Sequence, residues 1–472
     1  MAILLKLWAM ISAVLFSLGL SQFSVVGYTD GEPIIPEKTE YCFDNEGLII
    51  GGYYGDKDHV KEAAEAGIDF FVTNMVDDEF LDKCAEYGIG VIASGYNALP
   101  TGYGDLTESQ RDAWMNFDYS NYRDHEALWG DDLIDEPSAR TFDRINDALR
   151  VYYDNTDGKI GYVNLFPQYA NDEQLGTDPT VDKLSEFWLA TTDSGTHAGS
   201  SYKAYISEYI NKIDVDYICM DFYPYRSRLD LSGKEVKSTV DSWIRNLDIL
   251  AEACRETGRD MWVITQACGE TEHGEKDGNH PRYCDEVSDI SQQAYACLAF
   301  GTKAIIHAEF SARGWWAPES SHMINSQGGT TATYDAVKTV DGYLDAFADV
   351  YGDYVYESTF MVNPLRVAGR SGGALAVTKP SAAIDVLSLN GMLVGTFNKK
   401  SGDGKAYVFA NMEELNKDKS ATFTFFVPHG ATAKVYDKGN VTDYGSGAVT
   451  LTLEPGGGVF VEVSGGSLYS AC

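Results

Sequence analysis

An α/β fold, a (β/α)8 barrel followed by a C-terminal antiparallel β-sandwich, is what this 472-residue sequence predicts. Two observations predict it. Short apolar runs alternate with helical patterns up to about residue 350, whereas strand-like runs separated by Gly, Asn, Asp and Ser turns follow from about residue 355. Strands that alternate with helices form a parallel sheet, and eight of them close that sheet into a barrel.

The barrel strands are read from eight apolar runs. In the first two units a helical segment follows the run and stops at Gly67 or Gly88, which are typical helix ends. The fourth run ends in "WGDDLIDEPSA" (129–139). The other seven runs cover residues 47–55, 68–75, 89–97, 159–167, 215–225, 261–270 and 302–310.

Four segments follow from this pattern: a signal peptide (1–27), the barrel (28–352), the β-sandwich (353–466) and a flexible tail (467–472). Lys6 precedes an apolar run from Leu7 to Leu20 and then small and polar residues, which is typical of a secretory signal, with a lipid-side anchor as the alternative. No later segment is apolar enough to cross a bilayer. We therefore expect a secreted or cell-surface protein.

Composition and motifs exclude several classes of function. With 36 Lys and Arg against 71 Asp and Glu, the formal net charge is -35, so a nucleic acid or an anionic lipid surface would be repelled. Neutral substrates fit better, and a merely solvated acidic surface explains the charge equally well. No CxxC, HExxH, GxGxxG or P-loop pattern occurs. The sequence therefore predicts neither a metal nor a cofactor, and it leaves the oligomeric state open.

Polar and aromatic residues gather where the predicted strands end. The active site of such a barrel forms at the carboxyl ends of the strands. Asp135 and Glu136 end the fourth strand before Pro137, although "DEPS" also reads as a simple helix start with acids at its N-terminus. The other predicted rim residues are Asn74, Asn97, Asn164, Asp221, Tyr223, Tyr225, Gln266, His307, Glu309, Trp315 and Trp316.

These residue types fit a polyhydroxylated ring as ligand. Carboxylates transfer protons, amides and carboxylates bind hydroxyl groups, and flat aromatic faces stack on C–H surfaces. We therefore expect an oligo- or polysaccharide as the partner. Asp135, the amides, the tyrosines, the histidine and the tryptophans of that rim are the expected binding residues.

The barrel, over roughly residues 45–312, resembles the clan A type of glycoside hydrolase superfamily. In that superfamily an acid/base glutamate ends strand four, commonly as "NEP" or "DEP", and a nucleophilic glutamate ends strand seven. "LIDEP" matches the first pattern, so the resemblance implies Glu136 as acid/base with Asp135 as its neighbour. "DFYPY" and "QQAYACLAFGTKAIIHAEF" are also similar to uncharacterised bacterial barrels of this kind, in which a C-terminal β-sandwich is common.

The sequence departs from that pattern at strand seven, where "VITQACGE" places Gln266. An amide cannot act as a carboxylate nucleophile. A second acid would then come from Glu309, Asp221 or Glu270. We favour Glu309, with Asp221 next. Glu309 follows His307 by two positions on an alternating strand, so both side chains should point to the same side, and we expect His307 to orient the carboxylate.

Glu309 and Asp221 could also have purely structural roles. Glu309 would pair with Arg313, and Asp221 would stabilise the turn before Pro224. The leading hypothesis is an exported glycoside hydrolase that uses Glu136 as general acid, with Glu309 and Asp221 as the further catalytic candidates. The alternative is a non-catalytic, secreted carbohydrate-binding or scaffold protein on a degenerate barrel.

Overall fold

The computed structural model describes residues 33–74, 76–177, 200–225, 227–229, 235–237, 240–269, 284–312, 322–364, 384–413, 415 and 419–465. The predicted signal peptide and tail lie outside the described residues, as do Glu270, Arg313, Trp315 and Trp316. No helix within the described part is long and apolar enough to cross a membrane.

Eight parallel strands form a closed barrel, which confirms the predicted fold class. Each strand pairs with its neighbours in chain order, β8 pairs with β1, and the pairing of Val91 on β3 with Leu128 on β4 completes the ring. The strands are β1 (Ile49–Tyr53), β2 (Phe70–Thr73), β3 (Gly90–Ala93), β4 (Leu128–Asp135), β5 (Ile160–Leu165), β6 (Tyr217–Asp221), β7 (Asp260–Gln266) and β8 (Thr302–Ala308).

One helix of seven or more residues follows each strand. The helices are α1 (Val60–Ala66), α2 (Asp78–Tyr87), α3 (Glu108–Met115), α4 (Phe142–Asn155), α5 (Ser200–Lys212), α6 (Val240–Thr257), α7 (Val287–Ala299) and α8 (Ala332–Asp345). Local sequence sets their ends. Asp77 accepts a hydrogen bond from the Phe80 amide at the start of α2, and Gly88 ends that helix with a left-handed φ of 71°.

Aromatic rings fill the barrel interior below the strand ends. The Trp262 ring lies 5.3 Å from that of Tyr217 and 5.7 Å from that of Phe70, which in turn lies 5.4 Å from Trp129. Gly90 makes room for Trp129, because a Cβ at this position would overlap the indole ring. The amino-terminal part of the barrel interior is therefore packed core.

The C-terminal strands form two antiparallel sheets, as the sequence predicts. One has the order β9-β11-β12-β17-β14-β15 and the other β10-β13-β16. The strands are β9 (Tyr354–Val362), β10 (Val386–Ser388), β11 (Met392–Lys399), β12 (Gly404–Asn411), β13 (Ala421–Val427), β14 (Ala431–Asp437), β15 (Asn440–Tyr444), β16 (Gly447–Leu453) and β17 (Gly458–Gly465). Apolar side chains of both sheets share one core.

The β-sandwich packs directly on α7, whose residues from Asp289 to Ala299 are all buried. The Gln292 side-chain amide donates hydrogen bonds to the carbonyl oxygens of Asn411 and Glu413, at 3.3 and 3.1 Å. Gly395 of β11 lies against the Ala299 carbonyl so closely that a Cβ there would overlap it. Barrel and sandwich therefore share a buried, hydrogen-bonded interface.

Replacing Gly395 with Ala should destabilise the protein by about 1–3 kcal/mol, because the added methyl group meets backbone rather than a movable side chain. Urea unfolding followed by circular dichroism measures the change. Gly342→Ala on α8 is the matched control: a Cβ there meets nothing within 4 Å, so stability should stay equal or rise by about 0.5–1 kcal/mol. Equal stability of the two variants would contradict the described interface.

Candidate active site

A cleft of about 720 Å³ opens at the carboxyl ends of the barrel strands, where such folds place their sites. All eight strands contribute to it, with a residue at or near the end of each. Its walls include five carboxylic acids: Asp132, Asp135, Glu136, Asp221 and Glu309. Aromatic and amide groups complete them: Tyr53, Tyr54, Tyr103, Phe166, Tyr169, Tyr223, Asn74, Asn164 and Gln174.

Glu136 leaves the end of β4 with an unusual backbone. Its φ is 47°, in the left-handed region that costs a non-glycine residue about 1–2 kcal/mol. Its amide still donates to the Asn164 carbonyl at 2.9 Å, and the Tyr103 hydroxyl donates to its carboxylate. Ser138 caps the short turn that leads to α4. The backbone therefore turns Glu136 into the cleft before the helix begins.

A register shift in β4 brings two further acids to the same cleft. Asp132 and Asp135 are three positions apart, so a regular strand would point them to opposite faces. The pairing with β5 shifts between Asp132 and Ile134, and both acids line the cleft as a result. Asp131, on the other side of β4, accepts a 2.6 Å hydrogen bond from Tyr122 and faces the helix layer.

Burial changes the acidity of these two groups. It raises the pKa of Asp132 to about 7, although the hydrogen bond from Ser94 at 2.6 Å opposes the shift. It raises the pKa of Asp135 to about 6, against the stabilising hydrogen bond from Asn164. Burial also raises the pKa of Tyr54 to about 12, and the nearby Glu309 carboxylate adds to that rise. The cleft therefore disfavours additional negative charge.

The amide of Asn164, on β5, joins two acids of the strands on either side, β4 and β6. Its Nδ2 donates to Asp135 Oδ1 at 2.8 Å and to Asp221 Oδ1 at 3.2 Å. Asp221 ends β6 as the sequence predicts, and it is buried. Both carboxylates are thus held in place by a neutral donor, and this hydrogen bond lowers the pKa of Asp135 against the larger effect of burial.

Glu309 lies directly after β8 and is paired with a histidine that the sequence did not single out. Nε2 of His322 lies 2.6 Å from Oε2 of Glu309, and both side chains are buried. His307, expected to orient Glu309, instead has Nε2 3.1 Å from both carboxylate oxygens of Asp341 on α8. That expectation is wrong because β8 ends at Ala308, so the strict alternation does not extend to Glu309.

Three other predicted binding residues lie outside the cleft. The Gln266 side chain accepts from the Tyr225 amide at 2.9 Å and donates to the Cys268 carbonyl at 3.0 Å. Tyr225 donates its hydroxyl hydrogen to Gln292 at 3.0 Å. Asn97 accepts from the Arg123 amide at 2.8 Å. These three side chains bind backbone groups or a helix residue. The prediction that they line the cleft, which rested on strand position alone, is therefore wrong.

The structure brings together Glu136, Glu309, Asp221, Asp135, Asn74, Asn164 and Tyr223 from the predicted set. Sequence reasoning missed Asp132, Ser94, Tyr53, Tyr54, Tyr103 and His322. The tyrosines of "GGYYG" end the first predicted strand, so the rule used for the other strands already pointed to them. Asp132 and His322 carried no such signal, because one depends on a register shift and the other on tertiary packing.

Comparisons with known proteins add a structural resemblance only. No protein-family model and no curated protein matches the chain. Among solved structures, it is similar at 10% identity to a family 5 glycoside hydrolase from Bacteroides vulgatus, with a TM-score of 0.49 and coverage of 89% of each chain.

It is also similar to a catalytic mutant of a family 42 β-galactosidase from G. stearothermophilus, at 10% identity and a TM-score of 0.48 over 90% of this chain and 99% of the other. A third similar structure is that of a family 27 β-L-arabinopyranosidase from Geobacillus stearothermophilus, at 9% identity and a TM-score of 0.47 over 89% of this chain and 98% of the other. These three similar structures are glycoside hydrolases.

The raised pKa of Asp132 predicts a specific pH dependence of stability. The folded state holds the proton more tightly than the unfolded state, so stability should fall as pH rises from about 4 to about 7, by up to about 4 kcal/mol. Asp132→Asn should flatten this slope in urea unfolding measured across that range, whereas Asp403→Asn, at an exposed turn, should keep it. An unchanged slope in Asp132→Asn would show that Asp132 already ionises normally.

Proposed function

We propose that this chain is an exported glycoside hydrolase that cleaves a glycan by carboxylate acid/base chemistry. The observation that carries the proposal is that Glu136, at the end of β4, lines one cleft with four other carboxylic acids and several tyrosines. Export is inferred from the apolar run between Leu7 and Leu20. N-terminal sequencing of the secreted chain tests that part.

Glu136 is proposed as the general acid. It reaches the cleft through its left-handed backbone, and its carboxylate accepts a hydrogen bond from the Tyr103 hydroxyl. Asp135, adjacent in sequence, lines the same cleft. In its acid form, Glu136 would donate its proton to the glycosidic oxygen as the bond breaks.

Glu309 is proposed as the second carboxylate, acting as nucleophile or as base on a water molecule. His322 holds Oε2 of Glu309 by a hydrogen bond. Oε1 of Glu309 has no hydrogen-bond partner among the described residues, and Glu309 lines the cleft wall. Asp221 is instead held by Asn164 together with Asp135. Glu309 thus offers an oriented oxygen, and Asp221 is the second choice.

A carbohydrate-binding protein without catalysis is the second candidate, and Gln266 favours it. This residue occupies the strand-seven end where the resemblance expects a glutamate, and both ends of its amide bind backbone groups. Under this alternative the acids of the cleft only bind hydroxyl groups. Glycan binding that survives Glu136→Gln, with no cleavage by the unmodified chain, would favour it.

Glu136→Gln should lower kcat on unactivated glycosides by about 10²–10⁴-fold, because the leaving oxygen then receives no proton. The loss should be much smaller on aryl glycosides with a very acidic phenol, which leave without protonation. Glu309→Gln should lower kcat on both substrate types. Glu86→Gln, an exposed residue of α2, is the control and should retain full activity. Equal losses on both substrates for Glu136→Gln would assign it a role other than general acid.

His322→Ala should lower kcat by about tenfold or more with little change in KM, because Glu309 loses its hydrogen bond and its orientation. The pH profile of kcat should also shift, since the Glu309 carboxylate no longer has the His322 ring as its partner. His307→Gln is the matched control: it also removes a buried histidine–carboxylate pair, so it should lower stability without moving that profile. A profile unchanged in both variants would limit His322 to a structural role.

A further inference from the structure

Among the described residues, the cleft carries acids without a compensating base. Five of its wall residues are carboxylic acids, and no Lys, Arg or His is found among the described residues that line it. His322 contacts Glu309 but does not line the cleft. Charge in a recessed, low-dielectric site acts strongly on a ligand, so this cleft repels uronate and sulfate groups and attracts cations.

Three buried oxygen atoms of the cleft wall have no donor among the described residues. They are Oδ1 of Asp132, Oδ1 of Asn164 and Oε1 of Glu309, in residues that are 8%, 2% and 1% exposed. Each residue also lines the cleft. A buried acceptor that receives no hydrogen bond costs about 1–3 kcal/mol, so a ligand rich in donors would recover that energy.

We propose that the substrate of this site is a glycan that carries free amino groups, an inference that rests on the proposed glycosidase function. A hexosamine ammonium brings three N–H donors and a positive charge, whereas a hydroxyl group brings one donor and no charge. N-acetylation removes the charge and two of the donors. The ring itself stacks on the tyrosines of the wall, as for any sugar.

Asp132 and Asn164 are the residues that give this selectivity. They stand on neighbouring strands, with Asp132 paired with Tyr162 and Asp135 with Asn164 in the β4–β5 register. Asp135 and Asp221 flank Asn164, because each accepts a hydrogen bond from its Nδ2, and Asp132 lines the same cleft. An ammonium group bound to the free oxygens of Asp132 and Asn164 therefore lies in a cleft wall that holds three aspartates.

Binding is measured by isothermal titration calorimetry on the full chain with Glu136→Gln, which prevents turnover. The probes are glucosamine and galactosamine, their N-acetyl forms, and glucose and galactose, together with the β-1,4-linked tetramers of glucosamine, N-acetylglucosamine and glucose. We expect an amino form to bind at least tenfold more tightly than its N-acetylated and neutral counterparts. Adding Asp132→Asn should reduce this ratio to threefold or less.

Two controls separate the cleft from the acidic surface in general. Asp403→Asn removes an exposed charge far along the chain, so the ratio should not change. If Asp132→Asn does not fold, as judged by circular dichroism, Asp135→Asn neutralises the neighbouring acid and carries the same test. A ratio near one, failure of every amino sugar to bind, or an equal effect of Asp403→Asn would overturn the proposal.

The two proposals fail in different measurements. The amino-sugar proposal is tested by binding to a chain that cannot turn over. The glycosidase proposal is tested by cleavage with the unmodified chain. Cleavage of neutral glycosides with no amino preference would overturn only the former, and amino-sugar binding without any cleavage would overturn only the latter.

Discussion

Closure of the parallel barrel is the constraint on which the rest of this structure depends. Once β3 pairs with β4 and β8 with β1, all eight strands end on one rim. Aromatic rings fill the other end, so polar side chains of the interior have only the rim available. Five acids from three different parts of the chain, the ends of β4, β6 and β8, thereby become neighbours, although they are up to 177 positions apart in sequence (Asp132 and Glu309).

Gathering so many acids has an energetic cost that the surrounding residues reduce but do not remove. Ser94, Asn164 and His322 each donate to one or two carboxylates. Even so, burial keeps the pKa values of Asp132 and Asp135 near neutrality, which is far above the usual value for aspartate. A fold selected only for stability would place apolar residues there, so the arrangement favours a functional reason for the acids.

The sequence predicts the architecture and part of the site, because both depend on patterns that repeat along the chain. Alternating apolar runs and helices predicted the eight strands, and the strand-end rule found Glu136, Asp221 and Glu309. That rule failed at Gln266, whose amide turns to the backbone of Tyr225 and Cys268. The register shift at Asp132 and the contact of His322 with Glu309 depend on local geometry and on packing between distant segments, which periodicity does not encode.

The burial of α7 on every side has a consequence for how this protein could evolve. One face of the helix covers the barrel, and the other is covered by the β-sandwich through Gln292, Ala299 and their partners. The β-sandwich is thus packed against the helix layer of the barrel, and it is not a separate domain attached only by a linker. Recombination that swapped it between relatives would have to carry matching changes in α7, so the two parts are expected to be inherited together.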